Sequence, residues 1–289
     1  MLKLYSYGKI NLFLDVEGRL NNGYHLIKSI MQSIDLHDEI VLNPIKENRI
    51  IIECSDTSIP TNENNTCYKA ARLIKETYSI NTGIHIYIQK NIPSEAGLAG
   101  GSGNAAAVIK GFNNLWNLNL SLHEMQVIGL KIGADIPFCL VGGTCLAEGI
   151  GDKVTEINDF LWDNILIIKP DFSMSTAFVY KNLSPMYYNL YKDNRILDYI
   201  VEGNYEEAAI CVANTLEKVV EKIHPEINHV KELMINKGAL SCIMTGSGSA
   251  LFALFNNEAE MDEAYIAAKN IFPKVYKTRT VKTGAIFCD

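Results

Sequence analysis

The chain has 289 residues, 48% of them apolar and 20% charged, and a formal net charge of -7. That length buries a core without disulfide or metal staples. The acidic balance argues against general nucleic-acid binding, which needs clustered lysine and arginine, but leaves room for one small anionic ligand in a local pocket.

The opening segment, MLKLYSYGKINLFL, lacks a cationic start followed by an unbroken apolar run and a small-residue cleavage site. No uncharged apolar stretch approaches ~18 residues. A cytoplasmic protein without a membrane segment is expected. Ile10, Leu12, Leu14 and Val16 alternate with Lys9, Asn11, Phe13 and Asp15, which predicts a half-buried strand with Lys9 and Asn11 on one face. Asn22-Gly23 signals a turn over 18–23. Short strands are predicted at 27–36, 39–42 and 49–54, and a helix at 65–78 with Tyr68, Ala71, Leu73 and Ile74 inward. Another alternating strand covers 84–89, and a glycine-rich loop follows it. Val108, Phe112, Leu115 and Trp116 then fall at helical spacing, giving a helix over 104–116. Ser121 and Glu124 form a capping-box pattern before a helix over 122–132, which Gly133 stops and Pro137 keeps from continuing.

Beyond residue 155 a strand at 165–168 is followed by helical patterns at 176–182, 194–201, 205–222 and 225–236. A strand–turn–strand over 240–255 bends at Gly246-Ser247-Gly248-Ser249; a helix at 259–272 and strands near 274–281 and 285–288 complete the pattern. Strands cluster rather than alternating with helices, so the fold class is α+β, with two lobes: an N-terminal domain, 1–155, and a C-terminal domain, 156–289. The run from Met186 to Glu221 carries no motif and reads as core and lobe packing. Seven scattered cysteines, with no C-x-x-C pair and no zinc spacing, read as buried free thiols.

The segment PSEAGLAGGSGNAA, Pro93 to Ala106, carries the strongest chemical signal. Gly97, Gly100, Gly101 and Gly103 let backbone N–H groups come close to a ligand, and the following helix offers unpaired N–H groups and the positive end of its dipole. Between a strand and a helix, this is a phosphate cradle or a flexible surface turn. No lysine follows the glycines, so it is not a Walker A loop. Gly101, Gly103 and Ala106 fit a dinucleotide fingerprint, yet no second strand ending in an acid follows. Four other segments are ambiguous singly: Gly8-Lys9-Ile10-Asn11, Asn22-Gly23-Tyr24-His25, Gly133-Ala134-Asp135-Ile136-Pro137 and Gly246-Ser247-Gly248-Ser249.

In combination and order, GKINLFLDV, NNGYHLIKSIMQSIDLHDEI, IPSEAGLAGGSGNAA, IGADIPFCLVGGTCLAEGIGD and MTGSGSALFALF resemble the GHMP kinase superfamily over residues 1 to about 255. The resemblance implies a two-lobed fold: an N-terminal lobe like the ribosomal protein S5 domain 2 and a ferredoxin-like C-terminal lobe. It implies an ATP-dependent phosphotransferase with an alcohol acceptor, with Mg²⁺ accompanying ATP. The Asn-Gly-Tyr-His segment resembles the branch whose acceptor is a cytidyl small molecule, a diphosphocytidyl methylerythritol phosphorylated at its C2 hydroxyl in non-mevalonate isoprenoid synthesis. Other branches, acting on homoserine, mevalonate or a sugar, and a non-catalytic nucleotide-binding relative are the alternatives. A monomer or homodimer is implied, with neither nucleic acid nor membrane as partner.

Residue by residue, the resemblance implies that Asp135 accepts the proton of the attacking hydroxyl, with Lys9 beside it. Asn11 would bond the acceptor. Tyr24 would stack on the cytosine, His25 would bond its edge and Tyr180 would cover its other face. Pro93, Ser94, Glu95, Ala96, Gly97, Leu98, Ala99, Gly100, Gly101, Ser102 and Gly103 would wrap the ATP phosphates, and Asn65 and Thr66 would line the adenine. Gly246 and Gly248 would support the loop and substrate phosphates. The sequence departs from the usual A-G-L-G-G-G-S-S-D-A-A at Ala99, Gly103 and Asn104, and has Ser6-Tyr7-Gly8-Lys9 where Ala-Pro-Ala-Lys is common. No metal ligand is assigned.

Overall fold

The computed structural model describes residues 1–288. Two very long strands, β1 (Leu2–Arg19) and β2 (His25–Ile45), form the antiparallel hairpin on which the molecule is built. The two strands predicted at 27–36 and 39–42 are therefore one. Strands usually run about 5–6 residues; this pair bends at register shifts between Tyr7/Gly8, Asn11/Phe13 and Val16/Gly18. The bend lets β2 serve two neighbours. Its end, Glu39 to Ile45, pairs with β4 (Gly83–Gln89), while Ile27 to Gln32 pair with β5 (Thr144–Gly149). β3 (Ile50–Cys54) adds parallel to β4, and β6 (Lys153–Glu156) adds to β5. The sequence pattern had no signal for β5 or β6.

Helices α1 (Thr66–Thr77) and α2 (Gly100–Leu115) cover one face of this sheet. α1 turns Cys67, Ala70, Ala71 and Ile74 fully inward, with Tyr68 and Leu73 only partly buried. α2 begins four residues earlier than its apolar spacing indicates. Gly100, Gly101, Ser102 and Gly103 are its first turn rather than a loop before it. The helix lies close because Gly111 faces Leu42; a Cβ there would stand 2.1 Å from Leu42 Cδ1. α3 (Leu122–Leu130) starts on the predicted Ser121–Glu124 capping box, and α4 (Ile136–Val141) follows with proline in its first turn.

The second sheet, in the order β11 (Lys274–Thr278), β7 (Ile165–Lys169), β10 (Leu251–Leu254), β9 (Ser241–Met244), is antiparallel throughout. Both its faces are covered, which explains its unbroken apolar runs. Ile165, Ile167, Phe252 and Leu254 pack against Ile10, Leu12, Ile30 and Ile34 of the first sheet. Leu166, Ile168, Leu251 and Ala253 face α9 (Ile227–Asn236) and α10 (Glu258–Lys269). Burial from two sides also corrects the reading of β1 as half-exposed: every residue from Gly8 to Val16 is buried.

Between the two faces run α5 (Thr176–Lys181), α6 (Ile196–Glu202), α7 (Tyr205–Ile210), the short β8 (Ala213–Asn214) and α8 (Glu217–Ile223). The single helix predicted over 205–222 is broken at β8, which pairs parallel with Phe13 and Leu14. The reason lies in two polar side chains. Asn214 Nδ2 donates to the carbonyls of Met244 (2.7 Å) and Gly246 (2.8 Å), and Thr215 Oγ1 donates to Asp15 Oδ1 at 2.5 Å. β12 (Ile286–Phe287) returns to pair with β1. No disulfide joins the described cysteines, and Cys67, Cys139, Cys145 and Cys242 are buried.

Asp15 fastens the helical segment to β1. It is 3% exposed and accepts from Val16 N (2.9 Å), Thr215 Oγ1 and Tyr191 N (3.0 Å). Asp15→Ala leaves these donors unpaired and is expected to cost about 3 kcal/mol, since each unsatisfied buried group costs roughly 1–3 kcal/mol. Urea denaturation of the two proteins measures it.

Candidate active site

The site is assembled where β1, the 93–103 segment and the 245–250 turn converge. Lys9 and Asn11 project from the same face of β1, as their spacing requires, and both are buried, at 3% and 1% exposed. Lys9 Nζ donates to Asn11 Oδ1 at 2.6 Å and to the Gly97 carbonyl at 2.7 Å. Asn11 is fixed in turn: its Nδ2 donates to Ser29 Oγ (2.8 Å) and its backbone N–H to Thr245 Oγ1 (3.0 Å). Burial pushes the Lys9 ammonium below its ordinary range, and the Asp135 carboxylate partly restores it. No carboxylate is in ion-pair contact with Lys9 among the described residues; Asp135 acts on it across a gap.

The glycines of the 93–103 segment divide by role. Gly97 has φ +75 and lies against the 245–250 turn; a Cβ would fall 2.2 Å from the Thr245 carbonyl oxygen. The Ala250 N–H donates to the Ala96 carbonyl at 3.2 Å, closing the contact. Ala99 caps α2 from the left-handed region at φ 54, where glycine would be less strained. Gly100, Gly101 and the helix N-terminus face a cavity of about 360 Å³. Gly103 does not face it. Its Cβ would stand 2.5 Å from Ser6 Oγ and 3.1 Å from the Tyr7 carbonyl, so its smallness serves helix–strand packing.

That first cavity is also lined by Lys9, Asn11, Asn65, Thr66, Pro93 through Leu98, Asp135, Tyr180, Gly246 and Gly248. Asn65 caps α1, accepting from Cys67 N at 2.8 Å, and Thr66 Oγ1 donates to the Gly101 carbonyl at 2.7 Å. Two polar atoms in its wall, Ser94 Oγ and Asn104 Oδ1, are buried without a protein partner. Lys90, not singled out by the sequence, also lines it. Its Nζ donates to the fully buried Asp38 at 2.7 Å, and Asp38 accepts from the N–H groups of Asn91 (2.7 Å) and Ile92 (2.8 Å). This pair anchors the chain just before Pro93.

A second cavity of about 740 Å³ opens beside the first. Its walls include Arg19, Tyr24, His25, Ser102, Thr176, Tyr180 and Lys181. Tyr24 is exposed, at 59%, whereas His25 is buried and lies 5.2 Å from the Tyr180 ring, tilted by 35°. Burial, with help from the Arg19 charge, pushes the His25 imidazole below its ordinary range, so it is neutral at pH 7. Ser102 lines this cavity rather than the first. Asp135 lines both. It occupies the N-cap position of α4, but its carboxylate makes no capping bond and so is free to face the junction.

The turn after β9 ties the two cavities together. Ser247 Oγ bonds Thr176 Oγ1 at 2.8 Å, Ser249 Oγ donates to the Phe172 carbonyl at 2.5 Å, and Thr176 opens the helix that carries Tyr180. Sequence reasoning found the two glycines of this turn but not its hydroxyls, nor Asn214, Lys90, Arg19 or Lys181. A serine or asparagine in a turn has no signature of a distant partner.

Comparison with known proteins gives the same outline. Residues 65–143 match the model for the GHMP kinases N terminal domain, and 196–274 that for GHMP kinases C terminal. The 4-diphosphocytidyl-2-C-methyl-D-erythritol kinase of Caldicellulosiruptor saccharolyticus is 46% identical over 96% of this chain and 96% of its own. That of Clostridium botulinum is 42% identical over 97% of this chain and 100% of its own. A crystal structure of 4-(cytidine 5'-diphospho)-2C-methyl-D-erythritol kinase superposes with a TM-score of 0.82 at 26% identity, covering 96% of this chain and 99% of that one. A homoserine kinase from Cytophaga hutchinsonii shares the fold, with a TM-score of 0.80 at 19% identity, covering 99% of this chain and 97% of that one.

Gly97→Ala tests the close approach of the two loops. The added methyl meets backbone atoms and a left-handed φ, so the substitution is expected to lower stability by more than about 1 kcal/mol. It also parts the Lys9–Gly97 contact, so affinity for a non-hydrolysable ATP analogue should fall. Denaturation and calorimetry read the two effects.

Proposed function

This chain belongs to the GHMP kinase family, and from that premise we propose that its paired cavities carry a phosphoryl group from ATP in the first to an alcohol in the second. The protein is an ATP-dependent small-molecule kinase. Its acceptor is 4-diphosphocytidyl-2-C-methyl-D-erythritol, phosphorylated at the C2 hydroxyl to give the 2-phosphate and ADP, a step of non-mevalonate isoprenoid precursor synthesis. The observation that carries the reading is the position of Asp135, the carboxylate that lines both cavities.

Phosphoryl transfer asks the protein for positioning, charge stabilisation and one proton acceptor. Asp135, uncommitted to a helix cap, takes the proton of the acceptor hydroxyl as its oxygen bonds to the γ-phosphorus and the bond to ADP breaks. Lys9 has spent two of its three donors on Asn11 and Gly97. The third serves the transferring group or the hydroxyl, and the ammonium charge favours the ionised carboxylate. Asn11 holds this geometry through Ser29 and Thr245. The α2 N-terminus and the backbone of Pro93 to Gly101 hold the ATP phosphates, and Asn65 and Thr66 line the adenine end. On the acceptor side Tyr24 stacks on cytosine, neutral His25 bonds its edge, and Tyr180 covers the other face.

Mg²⁺ fits the first cavity. It takes hard oxygen ligands, keeps several waters and is usually held by one or two protein groups together with substrate phosphates. The Glu95 carboxylate and the partnerless Asn104 Oδ1 are oxygens of that kind in the cavity wall and would hold it. Bound, the ion neutralises charge on the ATP phosphates. The division into an ATP-binding half, 1–155, and a C-terminal half, 156–289, is supported by the two family matches falling on either side of that point.

Asp135→Asn is expected to lower kcat by ~10² to 10⁴ with little change in KM for ATP, the usual range for loss of a general base. Steady-state kinetics decides it, and near wild-type turnover would remove Asp135 from that role. Acceptor identity is tested with purified protein, ATP, Mg²⁺ and a panel of alcohols. Phosphorylation of the cytidyl compound but not of homoserine or mevalonate is the expected result, and the reverse would overturn the assignment.

A further inference from the structure

The second cavity contains two cations that the fold leaves unemployed. Arg19 ends β1 and Lys181 ends α5, so they come from different walls. Neither has an ion-pair or side-chain hydrogen-bond partner among the described residues. Arg19 lies at the base-recognition end: its Nη2 is 3.8 Å from where a Cβ on Gly23 would stand, and its charge reaches His25. Lys181 directly follows Tyr180, and Asp135 lies where the cavity meets the donor side.

Two like charges facing one cavity create a positive potential that favours an anion there. A cytosine ring, neutral at pH 7, offers them hydrogen-bond acceptors but no charge, whereas an anion meets both the donors and the potential. The acceptor's diphosphate is separated from its base by one ribose, which puts it within reach of groups beside the base. A guanidinium also suits two phosphate oxygens at once. We propose that Arg19 and Lys181 bind the diphosphate of the acceptor and make this cavity specific for a nucleoside diphosphate ester over a nucleoside. This rests on the second cavity being the acceptor site. Both residues are exposed and unpaired, so their role is in selecting the ligand and not in holding the fold.

The test measures Kd for cytidine and for CDP by calorimetry, with the donor cavity saturated by a non-hydrolysable ATP analogue. Wild-type protein is expected to prefer CDP, and the preference should weaken as salt is raised. The double variant Arg19→Met, Lys181→Met should lose about tenfold of that preference, as two exposed ion pairs imply, with the cytidine Kd and melting temperature unchanged. Arg19→Lys should retain part of it. A double variant that keeps the full preference, or one that weakens cytidine and CDP in parallel, overturns the proposal, as does a wild-type protein that binds the two equally. Wild-type protein binding neither ligand would overturn the acceptor reading itself and this proposal with it. Tyr24→Ala, which should weaken both ligands by roughly 5- to 150-fold through lost stacking, confirms that the probes occupy this cavity.

Discussion

The geometry of the site depends on one close approach, between Gly97 and Thr245. It brings the backbone of the 93–103 segment from the first lobe against the turn of the second, at a distance that admits no side chain. Lys9 lies under this contact and bonds the Gly97 carbonyl, while Thr245 Oγ1 receives the Asn11 N–H. The buried ammonium therefore has its orientation set from both lobes at once. Its own burial costs free energy, which lowers its proton affinity, and the facing Asp135 carboxylate partly offsets that cost. A rigid cation beside a free carboxylate is what a loose, charge-spread phosphoryl transition state requires.

Much of the fold was legible because it follows from periodicity. β4, α1, α3 and the β9–β10 bend lie where alternation, helical spacing and caps put them. The capping box at Ser121 and Glu124 formed as read. Failures came where tertiary contacts outweighed local signals. Strand β1 alternates polar and apolar residues yet is buried on both faces, because its polar residues meet one another and Thr245 instead of water. The helical pattern over 205–222 broke because Asn214 and Thr215 bond distant partners. The first turn of helix α2 was missed because it is built of Gly100, Gly101, Ser102 and Gly103, which have no apolar spacing and include poor helix formers.

The site divides along the same line. Lys9, Asn11, Asp135, Tyr24, His25, Tyr180 and the glycine segment were legible only as an ordered set resembling a family, since each alone was an ordinary strand, turn or cap residue. The structure brings these residues to two adjoining cavities, with Gly103 set apart in packing. The supporting side chains were illegible. Lys90 with Asp38, Asn214 with the Gly246 carbonyl, and Ser247 with Thr176 are long-range pairs, and apart from the turn glycine no member carries a local mark of its partner. They are the means by which a chain of ordinary strands holds a cleft in register.

The pairing of Gly103 with Ser6 bears on how such enzymes diverge. The room that a β-carbon at 103 would need is taken by the hydroxyl of residue 6, ninety-seven positions away. The glycine-rich segment is thus not a portable cassette. Grafting a loop with serine at 103 into this chain would press on Ser6 Oγ, and that hydroxyl, which no hydrogen bond holds, would have to turn aside or give way to alanine. Helix and strand are thus coupled at this point, and an exchange at 103 is felt first by the side chain at 6.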